Sequence, residues 1–259
     1  MTWLFQVPWW LSMILITGGC ATLACCGHVL VRRSFPKTDF IEHNEVAGFI
    51  VAVVGVLYAV LLGFLTVIVW QQYAEAEDRS SQEVDAATDI WRFVPHLQQP
   101  DKSRIASDLK SYVDAVLFDE WPKMRSGKSS AQAQSSIIRL FGDVSMMRTS
   151  TLGEANLQNH MLERVQLVGD LRRRRIHSNN SAMPPVVWTG IFVGALALMS
   201  FIYLFGLANF RAQLVMTAVT AIMIGLCLTI VMELDFPYRG DVSISPERWI
   251  VLHGYMRPR

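Results

Sequence analysis

Charged residues are scarce in this sequence. Only 17% of the 259 residues are Asp, Glu, Lys or Arg, while 52% are hydrophobic, and 23 basic against 22 acidic residues give a formal net charge of +1. A chain so close to neutrality has no extended basic face, so nucleic-acid binding is not supported. The mean hydropathy of +0.30 is too high for an ordinary soluble domain. Because the apolar residues also occur in long runs, the composition predicts an integral membrane protein.

The motifs of enzymes and metal sites are missing as well. The six histidines are scattered, without the H-E-x-x-H or paired spacing of metal ligands, and there is no Walker loop, dinucleotide fingerprint or nucleophile elbow. Glu120, beside Trp121 and Pro122, fits the end of a helix better than an acid catalyst. We therefore expect no enzymatic activity, no cofactor and no metal.

Cysteine is rare, and its distribution bears on the cellular compartment. All four cysteines lie inside the apolar runs, and none lies in the polar part of the chain: Cys20, Cys25, Cys26 and Cys227. This pattern is not a disulfide framework. It agrees with a cytoplasmic location for the polar part.

Four apolar runs are long enough to cross a hydrocarbon core of ~30 Å, which requires roughly 20 residues in a helix. They cover about residues 9–31, 45–70, 186–207 and 212–232. The sequence thus predicts an all-α polytopic membrane protein with four transmembrane helices. We place the first helix pair in residues 1–70, the second pair in 186–234 and a C-terminal tail in 235–259.

The polar stretch at residues 71–185 predicts a soluble helical bundle inserted between the two pairs. The second span keeps an apolar face through Trp91 until Pro95 intervenes, so we expect one long helix to leave the membrane. Three more helices are predicted, with Thr149 or Ser150 as the N-cap of the last. They cover about residues 101–121, 129–147 and 151–176.

Basic residues near the ends of the spans predict the orientation. If the bundle and both termini share one side, that side carries Arg79, the run 172–175, Arg239 and three further arginines. The other side then carries fewer: Arg32, Arg33, Lys37 and Arg211. The majority places the bundle and both termini in the cytoplasm.

Small residues recur along one face of the second span. At 100° per residue they occupy a narrow arc, and the opposite face is bulky. Asn44 and Glu45 extend this arc at one end and Thr66 at the other. We call the set the small-residue stripe: Asn44, Glu45, Gly48, Ala52, Gly55, Ala59, Gly63 and Thr66.

Two interpretations of the small-residue stripe remain open. Small residues at spacings of three and four allow close packing of helices in lipid. Alternatively, several copies of this helix surround an axis and present the stripe to a water-filled path. Glu45 then either extends into the headgroups or faces water inside an assembly, because a carboxylate is costly to bury in lipid.

A run of four arginines precedes the third span by about ten residues: Arg172, Arg173, Arg174 and Arg175. Such runs beside a span commonly contact anionic lipid headgroups, which is our leading interpretation. The alternative is that they line a cytoplasmic vestibule and attract anions.

Several longer elements together resemble the bestrophin-like domain family of bacterial membrane proteins. They are HNEVAGFIVAVVGVLYAVLLGFLTVIVWQQYAEAEDRSSQEVDAA in the second span, the Y…DEWP element of Tyr112 and residues 119–122, LRRRRIH…PPVVW before the third span, and ELDFPYRGDVSISP after the fourth. The resemblance covers residues 10–248. That family is named for a distant similarity to bestrophins, which are homopentameric ion channels with a pore lined by the second span.

The resemblance implies a homo-oligomer, a pentamer, in the lipid bilayer of a bacterial inner membrane, with a pore along the face from Asn44 to Thr66. DFPYRG resembles the D-x-P-F-x-G element of the family, with Tyr238 in place of phenylalanine. We interpret the segment as a structural latch between membrane and bundle, in which Asp235 receives arginines from the bundle, Pro237 stops the helix and Gly240 permits a turn. The latch residues are Glu233, Asp235, Pro237, Tyr238 and Gly240.

The few charged residues near the predicted path allow its ion selectivity to be predicted. No lysine or arginine lies inside a predicted span, and Glu45 marks one end of the path. Because acidic rings favour cations, the sequence favours a pore for monovalent ions that is cation-permeable or weakly selective. The alternative from another functional class is a non-conducting scaffold or sensor whose bundle binds a partner.

Overall fold

The computed structural model describes residues 7–35, 44–180, 183–206 and 209–257, and every regular element in these ranges is helical. The predicted all-α fold is confirmed. A 3-10 turn at Val94–His96 follows α2, and a π-helical turn at Val116–Glu120 joins α3 to α4. The α-helices are α1 (Trp9–Ser34), α2 (Asn44–Phe93), α3 (Asp101–Ala115), α4 (Trp121–Met124), α5 (Ala131–Ser145), α6 (Leu152–Asn180), α7 (Pro185–Tyr203), α8 (Phe210–Leu234) and α9 (Glu247–Tyr255).

Four helical stretches are long and apolar enough to cross a membrane: α1, α2, α8 and the stretch that ends with α7. The second is a single helix of 50 residues, as its continuing apolar face predicts. The third ends at Tyr203, whereas the sequence predicts an end near residue 207, which lies outside the described residues.

The chain divides into two compact units. The first, which we call the membrane unit, contains α1, α2 up to Gln72, α7 and α8. The second, the bundle unit, contains α2 from Tyr73 onward, α3 to α6, and the segment from Phe236 that includes α9. The chain after α8 therefore folds as part of the bundle unit.

Glycines permit close helix packing in the membrane unit. A Cβ added to Gly225 on α8 would lie 3.0 Å from the Cα of Thr17 on α1, closer than nearly all real contacts. A Cβ on Gly194 of α7 would lie 2.7 Å from the ring of Tyr58 on α2. In lipid, where apolar burial gives no drive for association, such close approach is a main source of helix attraction.

The bundle unit has an apolar core with aromatic side chains at its centre. Trp249 of α9 is buried and packs edge-on against Tyr112 of α3, with ring centroids 5.9 Å apart. Trp121 packs in the same manner on Tyr238, at 5.8 Å. These contacts attach the C-terminal segment to α3 and α4.

The start of α6 shows a capping box, which corrects the predicted cap. The hydroxyl of Thr151 accepts a hydrogen bond from the Glu154 backbone N–H at 3.2 Å, while the Glu154 carboxylate accepts from the backbone N–H groups of Ser150 and Thr151. The cap is therefore Thr151 and not Thr149 or Ser150, because only Thr151 has the acidic residue three positions later.

Candidate functional site

The small-residue stripe divides into two parts in the structure. Ala52, Ala59 and Gly63 are exposed, and no atom lies within 4 Å of a Cβ added to Gly63. Gly48 and Gly55 are half-buried, and added Cβ atoms there would touch Phe205 at 3.6 Å and Leu198 at 3.8 Å. One edge of the stripe thus lies against helix α7 and the residues after it, whereas the other edge is open.

The polar residues at the two ends of the stripe differ in their exposure and in their hydrogen-bond partners. The Asn44 side chain donates to the carbonyl of Gly206 at 2.7 Å and accepts from its backbone N–H at 2.9 Å. Glu45 is exposed, and the Thr66 hydroxyl donates to the carbonyl of Leu62 within its own helix at 2.8 Å. The Asn44 amide thus holds the chain after α7, and its place at the mouth of a water-filled path remains a prediction.

The buried face of α2 lies beside the stripe. Tyr58, Leu62 and Val69 are buried in the membrane unit. The Tyr58 hydroxyl donates to the carbonyl of Ile191 on α7 at 3.1 Å, which satisfies a polar group at membrane depth. Leu62, at the edge of the stripe in the sequence pattern, packs inward.

The bulky face of α2 is open. Bulky apolar side chains on a membrane helix can contact either lipid or neighbouring helices of the same chain. Its side chains are mostly exposed, so helices in the described part of the chain do not cover them: Val46, Val53, Leu57, Leu61 and Phe64. Together with the open edge of the stripe, this leaves a broad surface of α2 available to lipid or to other copies of the chain.

The bundle unit buries a network of charged side chains that sequence analysis did not identify. Glu83 of α2 and Glu120 of the π-helical turn are both fully buried, as is Arg175 of α6. Arg175 donates to Glu83 through Nε at 2.7 Å and to Glu120 through Nη2 at 2.8 Å. Arg172 forms a two-bond contact with Glu120, at 3.1 and 2.5 Å. Two carboxylates and two guanidinium groups therefore compensate one another.

Hydrogen bonds complete the charge network. The Tyr112 hydroxyl donates to Glu83 at 2.7 Å, the Ser130 backbone N–H donates to Glu120 at 3.2 Å, and the Arg175 guanidinium lies 5.1 Å from the centre of the Trp121 ring. Burial would raise the pKa of Glu120, but the charges of Arg175 and Arg172 more than offset it, so the pKa is lowered. Burial, with the Glu83 charge, raises the pKa of Tyr112 well above its ordinary value.

This network corrects the predicted contact of the arginine run with lipid headgroups. Arg172 and Arg175 are 4% and 0% exposed and are paired with carboxylates, so neither is available to a lipid headgroup. Arg173 is exposed and pairs with Asp170 on its own helix, and Arg174 is exposed. The headgroup interpretation remains a prediction only for these two.

The residue spacing carries a signal for the buried arginines. Positions three and four residues apart along α6 share one face of the helix. The buried residues of that face follow this spacing and include both arginines: Met161, Val165, Val168, Arg172, Arg175 and Asn179. The arginines thus continue an apolar stripe, a position typical of ion pairs in a core rather than of lipid contact.

The predicted latch residues fall in both units. In the membrane unit, Glu233 accepts from the Ser12 hydroxyl of α1 at 3.2 Å, and Asp235 accepts from the Met183 backbone N–H at 2.9 Å. No arginine pairs with Asp235 within the described residues, which corrects that expectation. The carboxylate instead satisfies a backbone group just before α7.

The other latch residues fold with the bundle unit. The Tyr238 hydroxyl donates to the carbonyl of Ala76 on α2 at 3.0 Å, and the carbonyl of Pro237 accepts from Ile244 at 2.8 Å. Gly240 has a φ of +74°, a conformation that favours glycine at a turn. These contacts attach the start of the C-terminal segment to α2.

Comparison with known proteins relates the whole arrangement to one family. The sequence model of the bestrophin-like domain matches residues 18–249. Two similar solved structures are single-substitution variants of a bacterial bestrophin homologue from Klebsiella pneumoniae, with 14% identity, and no curated protein matches the sequence. For the first, the TM-score is 0.61, and the alignment covers 93% of this chain and 98% of the homologue. For the second, the TM-score is 0.62, and the alignment covers 92% of this chain and 96% of the homologue. At this identity the structures show the shared fold.

Proposed function

This chain belongs to the bestrophin-like domain family, and from this premise we propose that it forms an oligomeric ion channel with a pore lined by α2. The channel conducts monovalent ions and is cation-permeable or weakly selective. The expected assembly is a homo-oligomer, a pentamer by family resemblance, in the lipid bilayer of a bacterial inner membrane. The bundle unit and both termini lie in the cytoplasm.

The observation that carries this proposal is the open edge of the small-residue stripe. Ala52, Ala59 and Gly63 are exposed in the single chain although they lie on an apolar helix. Packing within the chain therefore does not account for all of the stripe. Several α2 helices around an axis would present a line of small side chains to a water-filled path. Small side chains would leave this path open even where the helices lie close together.

Glu45 supports the preference for cations. It is exposed at the start of α2, on the same arc as the open edge of the stripe. Copies of α2 around an axis would form a ring of carboxylates at one mouth, which attracts cations and repels anions. No lysine or arginine lies in the spanning part of α2, so this helix adds no positive side chain along the proposed path.

The latch segment is the stretch of chain that leads from the membrane unit to the C-terminal part of the bundle unit. Glu233 and Asp235 are hydrogen-bonded in the membrane unit, and Tyr238, three residues later, is hydrogen-bonded in the bundle unit. We infer that this short segment is a structural joint and not a part of the ion path.

The test is recording of the purified protein in planar bilayers under a potassium chloride gradient. We expect discrete openings with a reversal potential displaced toward that of potassium. A verified, folded oligomer without currents would contradict the channel, and a reversal potential on the chloride side would contradict the cation preference. Ala59→Leu is expected to reduce the conductance, whereas Val60→Leu, at an exposed neighbouring position outside the stripe, is the matched control.

Glu45→Gln tests the proposed acidic mouth. Loss of the carboxylate ring is expected to move the reversal potential toward zero by reducing the cation preference. Glu77→Gln removes the same charge from an exposed position on α2 in the bundle unit and serves as the control. If both variants keep the wild-type reversal potential, Glu45 is not in the permeation path.

A second candidate function is a scaffold or sensor that binds a partner through the bundle unit. α9 carries exposed apolar side chains, Ile250, Val251 and Tyr255, on the part of the protein expected in water. Exposed apolar surface of this kind is typical of interaction sites. A monomeric, non-conducting protein would favour this function.

A further inference from the structure

A groove of about 550 Å³ lies in the membrane unit among α2, α7 and α8. Its volume falls within the range of small-molecule binding sites, roughly 300 to 1,000 Å³. We call it the α2–α8 groove. It is lined along its length by Asn44, Val51, Gly55, Leu198, Phe205 and Thr220, among others.

The α2–α8 groove is polar at one end and mainly apolar along the rest. Asn44 and Gln213, at the starts of α2 and α8, form the polar end. Gly55 and Leu198 lie farther along the groove. The eleven residues from Asn44 to Gly55 correspond to about 16 Å of helix, so the groove is long enough for a hydrocarbon chain.

The polar groups of the lining are already hydrogen-bonded within the chain. The Gln213 amide donates to the carbonyl of Phe205 and accepts from Arg32 at 2.7 Å. The hydroxyls of Thr217 and Thr220 each donate to a carbonyl of their own helix at 3.0 Å, and Asn44 is bonded to Gly206. Each of these side chains already has a hydrogen-bond partner within the chain, so the groove favours an apolar occupant.

The charges at the polar end favour an anionic headgroup. Arg32 is held there by the carbonyl of Phe205 at 2.8 Å, and Arg33 and Arg211 are exposed at the adjoining ends of α1 and α8. Glu45 is the one acidic side chain among the described residues at these helix ends. Three cations against one carboxylate attract a phosphate placed at the level of lipid headgroups.

We propose that the α2–α8 groove binds one acyl chain of an anionic phospholipid, with the phosphate beside Arg33 and Arg211 and the chain running past Val51 to Gly55 and Leu198. A glycine is required at position 55 because a larger side chain there would occupy part of the groove. This binding does not depend on ion conduction, so it can be tested whether or not the protein is a channel.

The test is native mass spectrometry of the full-length protein, titrated with phosphatidylglycerol or with phosphatidylcholine. We expect tighter binding of phosphatidylglycerol. Gly55→Leu should weaken the binding of both lipids by roughly tenfold, because each buried methylene that is displaced contributes about fourfold. Gly190→Leu adds the same side chain to α7 outside the groove, where nothing lies within 4 Å of an added Cβ, and should bind lipid as the wild type does.

Two further variants keep the test decisive if Gly55→Leu does not fold. Thr220→Phe fills the groove from α8 and should weaken both lipids, whereas Arg211→Gln should weaken only phosphatidylglycerol. Equal lipid binding by the wild type, Gly55→Leu and Thr220→Phe would overturn the proposal. Dissociation of an oligomer by these two variants, with lipid binding per subunit unchanged, would also overturn it and would assign the groove to a second copy of the chain.

Discussion

The two units of this chain bury polar groups in different ways. In the membrane unit, buried polar side chains bond mainly to backbone carbonyls, as Tyr58 does with Ile191 and Thr217 with Gln213. In the bundle unit, four buried charged side chains form one network, Glu83, Glu120, Arg172 and Arg175, whereas the buried carboxylates of the membrane unit, Glu233 and Asp235, lie at the C-terminal end of α8 and not in the middle of a span. The difference follows from the solvent of each unit, because a charge is much more costly in lipid than in a domain that folds in water.

The comparison indicates where each unit is sensitive to mutation. The bundle unit depends on matching four charges, so removal of one leaves another uncompensated. The membrane unit depends on close approach of helices at glycines, so an added methyl group separates them. Hydrogen–deuterium exchange of the full-length protein reports on both units at once, because protection is measured separately for each helix.

Removal of Arg175 has the largest expected effect. Arg175→Met leaves the Glu83 carboxylate without its arginine and Glu120 with only one, which should destabilise the bundle unit by about 3–5 kcal/mol. Faster exchange is expected in α3 and α6, with α1 and α8 unchanged. Arg173→Met, which breaks an exposed pair with Asp170, should have an effect of less than about 1 kcal/mol. Equal effects of the two variants would contradict the importance of the buried network.

A methyl group at Gly225 tests the membrane unit. Its Cβ would lie 3.0 Å from the Cα of Thr17, a backbone atom that cannot move aside without moving α1. Gly225→Ala is expected to cost about 2 kcal/mol through overpacking and to raise exchange in α1 and α8 only. Gly190→Ala on α7 is the control, since no atom lies within 4 Å of the added group. Unchanged protection in both variants would show that this helix crossing tolerates separation.

Two tyrosines allow the same substitution to be compared in both units. Tyr112→Phe removes a hydrogen bond to Glu83, which is paired with Arg175 in the bundle unit, and is expected to cost about 1.5 kcal/mol. Tyr58→Phe removes a bond to the neutral carbonyl of Ile191 in the membrane unit and should cost about 0.6 kcal/mol. The loss of exchange protection in each unit measures how much each substitution destabilises it. A larger loss for Tyr58→Phe than for Tyr112→Phe would contradict the expected order.

A carboxyl group at the surface of the bundle unit gives the smallest expected effect. Burial and the neighbouring Asp143 raise the pKa of Asp108 to about 6, against the opposing charges of Arg139 and Arg104. Since this pKa lies above the ordinary value of 3.8, the folded state takes up a proton before the unfolded state, and stability rises as the pH falls from 7 to 5.

Asp108→Asn should therefore stabilise the bundle unit at pH 7.5, by less than about 1 kcal/mol because the site is partly open to water. The advantage should shrink toward pH 5, as measured by exchange in α3 and α5. Asp78→Asn, at an exposed position of α2, is the control and should show no such trend. A benefit independent of pH would show that the charge of Asp108 is not the cause.

Much of the fold could be predicted from the sequence because apolar runs and helical periodicity determine it locally. The continuation of α2 beyond the membrane was visible in its apolar face, and so was its end near Pro95. The Asn44–Gly206 pairing was not predictable, because it joins residues 162 positions apart and no pattern in α2 indicates it. The burial of Arg172 and Arg175 is indicated by their spacing, which continues the buried face of α6, whereas the composition of the run, four arginines near a span, is typical of headgroup contact.

The length of α2 has a consequence for how the sequence can change. Within the membrane unit, Gly48 and Gly63 are 15 residues apart on one uninterrupted helix, so their directions differ by about 60° around its axis. Inserting one residue between them would rotate one against the other by about 100° and lengthen the helix by about 1.5 Å. Insertions of about 7, 11 or 18 residues nearly restore the angle, because they complete close to whole numbers of turns. Differences in α2 length among relatives should therefore occur in these steps.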